Sequence, residues 1–93
     1  MLREDLEKII GTYGEQAQID IAIEEMSELT KALLKHRRAK EKDPIIENDI
    51  AEEMADVKIM LEQLEIIFDN SADVSRYMEY KVNRQLERIA NGE

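Results

Sequence analysis

An all-α fold, a single domain of four helices spanning residues 1–93, is predicted by three observations. Apolar residues recur with a helical period from end to end, only three glycines and one proline punctuate the chain, and runs of β-branched residues are few. A short first helix is expected from about Arg3 to Ile10, closed by a turn at Gly11-Thr12-Tyr13-Gly14. A long second helix follows from about Glu15 to Arg38. Its last turn is basic, Lys35-His36-Arg37-Arg38, which suits the negative end of a helix dipole. Asp43-Pro44 restarts the chain, Asp43 as N-cap and Pro44 at the first helical position, where its missing N–H costs nothing. The third helix runs to about Phe68, Asp69-Asn70-Ser71 forms a turn, and the fourth helix continues to about Ala90. No linker or low-complexity segment divides the chain.

Size and charge narrow the function classes. The chain is near the small end of what folds without staples, and with no cysteine it has neither disulfides nor a thiolate metal site. The charged N-terminus is unlike a signal peptide, and runs such as Ile66-Ile67-Phe68 are too short to span a bilayer, so a cytoplasmic protein with no membrane partner is expected. The net charge of −9 repels a phosphate backbone, so no nucleic acid polymer is expected as a partner. A phosphorylated small molecule remains compatible if divalent cations sit between it and the carboxylates.

The two middle helices carry an internal repeat. Glu24-Glu25-Met26-Ser27-Glu28-Leu29 is echoed 28 residues later by Glu52-Glu53-Met54-Ala55-Asp56-Val57, each position identical or conservatively replaced. Projection at about 100° per residue sets Glu25 inside the apolar face of its helix. Gln18, Ala22, Met26, Leu29 and Leu33 lie to one side of it, Ile21 and Ala32 to the other, with Glu28 just beyond. Glu53 is placed alike, among Ile46, Ile50, Val57, Leu64 and Met60, with Asp56 beyond. An inward carboxylate costs several kcal/mol unless compensated, and four together repel one another. Basic side chains, shared protons or metal ions can compensate, and an all-oxygen ligand set favours Mg²⁺ first and Mn²⁺ second. A di-iron bundle needs Glu-x-x-His pairs, and Leu33 stands three residues before His36, the single histidine. Against this, one Glu-x-x-Glu pair alone is usually a solvated helix face. The apolar flanks and the matched second copy favour a metal site built by Glu25, Glu28, Glu53 and Asp56. Glu24 and Glu52, at the edge of that face, read equally as solvated groups, supporting groups or a general base.

On the fourth helix, Tyr77, Lys81, Arg84 and Arg88 form a narrow stripe beside an apolar strip of Val74, Met78, Val82, Leu86 and Ile89. Lys81 and Arg84 read either as cations facing substrate phosphates or as a solvated basic face; for Arg88 and the Lys35–Arg38 cluster the solvated reading is favoured. Gln18 shares the Glu25 face, where its amide reads either as a partner for a nucleobase edge or as an ordinary polar residue near a helix start.

These motifs resemble those of the MazG-like nucleoside triphosphate pyrophosphohydrolases, an all-α superfamily that includes dimeric dUTPases and phosphoribosyl-ATP pyrophosphohydrolase. The family pattern E-E-x-x-E followed by E-x-x-D is matched by Glu24-Glu25-Met26-Ser27-Glu28 and Glu53-Met54-Ala55-Asp56. The likeness extends through Gly14…Gln18, Glu28-Leu29-Thr30-Lys31-Ala32 and the tail from Tyr80 to Ile89. It implies that Glu25, Glu28, Glu53 and Asp56 ligate Mg²⁺, that an NTP or dNTP is cleaved to the monophosphate and pyrophosphate, and that Lys81 and Arg84 surround the triphosphate. Tryptophan, which several members use near the nucleobase, is absent here. The expected mechanism uses Glu24 or Glu25 as general base.

Assembly is read from face width. Ile19, Ile23 and Leu34 widen the second helix's apolar arc, and Ile45 and Ile59 that of the third, so at least a homodimer, or a dimer of dimers, is expected as a helical-bundle oligomer. The resemblance likewise implies active sites at subunit interfaces. Two other readings stand beside the enzyme. One is a non-enzymatic acidic helical interaction module; the other is a related enzyme acting on a different phosphorylated metabolite.

Overall fold

The computed structural model describes all 93 residues and is all-helical: α1 Arg3–Tyr13, α2 Glu15–Arg38, α3 Pro44–Phe68 and α4 Ser71–Ala90. α1 runs three residues further than the sequence pattern predicts, because Gly11 stays helical and Thr12 returns its hydroxyl to the Lys8 carbonyl at 2.7 Å. The break is Gly14, whose φ of 95° and ψ of 150° suit only glycine; its N–H still donates to the Ile10 carbonyl at 2.8 Å. At the start of α3 the Asp43 carboxylate accepts from the Ile45 N–H at 2.9 Å, with Pro44 at the first helical position. α3 ends on Asp69 in the left-handed region, φ 49° and ψ 50°, and α4 begins two residues later.

α2 and α3 form an antiparallel hairpin about a five-residue connection and pack along much of their length. α1 lies across both, its amphipathic face burying Leu6 and half-burying Ile9 and Ile10. The seam is thin. Leu6, Ala22, Ile46 and Met60 are its buried apolar side chains, joined by two buried amides, Gln18 and Gln63.

α4 stands apart. It meets α3 near the Asp69-Asn70 joint, does not reach α2, and buries none of its residues. Between its first turns and α3 lies an open groove of about 720 Å³ flanked by Leu61, Leu64, Phe68, Val74 and Met78. Met78, Val82, Leu86 and Ile89 are all more than half exposed. The radius of gyration, 16.6 Å, exceeds the roughly 12 Å expected of a compact domain of this length. The chain thus leaves apolar surface uncovered on α4 and also at Ile23, Leu33, Leu34 and Ile45. No helix is long and apolar enough to cross a membrane.

Candidate metal centre

The antiparallel register brings the two copies of the acidic motif together. Glu25 lies thirteen residues before the end of α2, and Glu53 and Asp56 lie nine and twelve residues after the start of α3, so they sit at similar heights above the connection. One carboxylate oxygen from each of Glu25, Glu53 and Asp56 falls within 4.8 Å of the others. Glu25 and Glu53 are half-buried and Asp56 is exposed, so the cluster opens to solvent on the α3 side.

The electrostatics of this cluster are uncompensated. Lost hydration is the largest cause pushing the Glu25 carboxyl above its ordinary value; the charges of Asp56 and Glu53, a hydrogen bond shared with Asp56, and the charge of Glu28 add to it. Glu53 is raised by lost hydration first, then by Asp56, Glu28, Glu52 and Asp49. Every cause acts in the same direction, and no lysine or arginine is among them. One Glu53 oxygen, Oε2, is buried without any hydrogen-bond partner. Three converging hard oxygens with no counter-charge, beside an unpartnered oxygen of Glu53, fit a hard divalent cation that keeps several of its waters.

Other expected site residues are placed differently. Glu28 lies close enough to raise both Glu25 and Glu53, but it is exposed and its Oε1 is paired with Lys31 Nζ at 3.2 Å, outside the tight cluster. Glu24 is exposed and is absent from the charges acting on Glu25 and Glu53. Gln18 is on the Glu25 side of α2, roughly 10 Å along the helix, with its side chain enclosed in the protomer seam. Lys81 and Arg84 are on α4, which does not reach α2, and neither contributes to the field at the acids of its own chain.

Sequence reasoning missed Gln63. Its side chain is the most completely enclosed in the protein, its Oε1 has no partner, and its amide donates only a weak 3.8 Å contact to Met60 Sδ. The available signal was its angular position next to Asp56, at the edge of the inward face of α3.

No known protein family, curated protein or solved structure matches the chain.

Proposed function

We propose that this protein is an Mg²⁺-dependent nucleoside triphosphate pyrophosphohydrolase, releasing pyrophosphate from a (d)NTP and working as a homodimer or dimer of dimers. The observation that carries the reading is the convergence of Glu25, Glu53 and Asp56 from two helices with no cation to balance them. The likeness of the acidic motifs to the MazG-like pattern supports it. Glu25, Glu53 and Asp56 would hold the ion, and Glu28, now paired with the exposed Lys31, would complete the set. Mg²⁺ bound there would supply Lewis-acid chemistry, offsetting triphosphate charge and acidifying a water. A carboxylate beside the ion, Glu24 or Glu25, would take the proton of that water. Attack in line with the departing pyrophosphate places developing negative charge beside Lys81 and Arg84. Because α4 does not cover the acids of its own chain, those two cations are delivered by a second copy whose α4 lies across this hairpin.

The test is pyrophosphate release from a panel of NTPs and dNTPs in millimolar Mg²⁺. Supporting groups around a bound metal are each worth about 10- to 100-fold, so removing a direct ligand in Glu53→Gln lowers turnover by at least about 100-fold while helical content is kept. Full activity in that variant refutes the assignment.

The uncovered α4 strip also suits a non-enzymatic interaction module. An enzyme gains thermal stability in Mg²⁺ through the acid cluster, and such a module gains almost none. An enzyme of the same design acting on another phosphorylated metabolite is separated by the substrate panel.

A further inference from the structure

α4 has two faces, and a second copy accounts for only one of them. Projected at about 100° per residue, the strip Val74, Met78, Val82, Leu86 and Ile89 occupies about a third of the circumference. Arg76 and Tyr80 lie on the opposite side, and Tyr77, Lys81, Arg84 and Arg88 flank the strip along its Val74 edge. Seating the apolar strip on a partner therefore leaves Arg76 and Tyr80 open and sets Tyr77, Lys81 and Arg84 along the rim of the contact.

Cations and rings are interleaved there. The Arg76 guanidinium lies 5.2 Å from the Tyr77 ring centroid and that of Arg84 5.7 Å from the Tyr80 centroid. Arg76, Tyr77 and Tyr80 line a shallow hollow of about 270 Å³. Both tyrosines are more than half exposed, 55% for Tyr77 and 61% for Tyr80, so neither serves a core. Asp73 pairs with Arg76 at 3.1 Å, whereas Lys81 and Arg84 have no carboxylate partner. The Nε of Arg84 is shielded from solvent and makes no hydrogen bond. An exposed ring on a solvated helix contributes little to folding. Two of them set among unpaired cations make a platform that stacks a flat base and neutralises the phosphates attached to it.

We propose that the Tyr77–Tyr80 face of α4 binds the base of a nucleotide by stacking, with Lys81 and Arg84 holding its phosphates. From Tyr77 to Arg84 the helix rises roughly 10 Å, so base and phosphate contacts fall along one nucleotide rather than on two. Stacking of this kind tolerates any base, because every base presents a π face. The proposal rests on the nucleotide reading for the identity of its ligand, and it assigns the tyrosines a positioning role separate from the acids.

Isothermal titration of the full chain in EDTA at low ionic strength tests it without turnover, using ATP, CTP, GTP and UTP against inorganic tripolyphosphate, which has no base. The nucleotides bind more tightly than tripolyphosphate. Tyr80→Ala or Tyr77→Ala weakens nucleotide binding by about 5- to 150-fold and leaves tripolyphosphate binding unchanged. Tyr80→Phe, which keeps the π face, retains nucleotide affinity and guards against a folding artefact. Equal affinity for nucleotides and tripolyphosphate, or nucleotide affinity unmoved in the double alanine variant, overturns the proposal. Base-dependent binding without pyrophosphate release upholds this face and sinks only the catalytic reading.

Discussion

The α2–α3 hairpin and α4 come from one chain and solve opposite problems. The hairpin turns carboxylates toward a packed seam, and its buried or half-buried groups are short of counter-charge. α4 is the more clearly amphipathic element, yet it encloses nothing and carries cations with no acid to meet. Each has what the other lacks. An apolar strip without a cover and an acidic cluster without a cation are both resolved if α4 of one copy closes over the hairpin of another. Amphipathicity thus states that a helix needs a partner, whereas burial within the protomer shows which helices have found theirs.

The sharpest way to break this contrast is to spoil the strip. An unpaired charge pushed into a contact costs several kcal/mol, and the proposed two-fold interface would contain it twice. Val82→Asp is therefore expected to weaken association by at least about 1000-fold in Kd, read by size exclusion with light scattering. Dimers that persist unchanged place the interface elsewhere. Next in size is the response of the hairpin to metal. If the proposed site binds magnesium, the ion at a hundred times its Kd is expected to stabilise the folded chain by about 2.7 kcal/mol, a rise on the order of 10 °C in Tm for a domain of this length. Glu53→Gln removes most of that rise.

Proton binding gives a smaller signal at the same place. Glu25 and Glu53 are raised in the fold from an ordinary 4.5, so the folded chain binds protons more readily than the unfolded one. Their contribution is fully present below 4.5 and is lost as pH climbs through the raised values. Without divalent ions, Tm therefore increases as pH falls from 7 toward 5, and millimolar Mg²⁺ flattens the trend. A metal-free Tm that instead drops over this range rules out the raised proton affinity. Smallest is the buried amide. Gln63→Leu removes an acceptor that has no partner and is expected to stabilise the fold by about 1 kcal/mol, measured by urea unfolding. Destabilisation of that size shows that the amide has an essential partner.

How much was legible in the sequence differs between the two regions for a physical reason. Helix ends were readable where backbone chemistry forces them, at Asp43-Pro44 and at Asp69-Asn70. They were misread at Gly11, because a glycine only weakens a helix and the next turn held it. The meeting of Glu25, Glu53 and Asp56 was foreshadowed by helical projection, since two inward acids on consecutive antiparallel helices have one seam to share. The pairing of Glu28 with Lys31 was not, because an exposed side chain chooses among neighbours by small energies. Gln63 escaped because a polar residue at the margin of an apolar arc reads as solvated until the packing of α1 and α2 is known. The stand-off of α4 was invisible, since a strip of Val74, Met78 and Val82 states what it avoids and not whose surface it finds.

The joint at Asp69 has a mechanical consequence. A twenty-residue rod roughly 30 Å long hangs from two residues, and a swing of about 10° there carries its far end about 5 Å sideways. Leverage of that kind makes aim, more than affinity, the quantity a remote substitution disturbs. One aspartate in an uncommon backbone state sets where the arm lands.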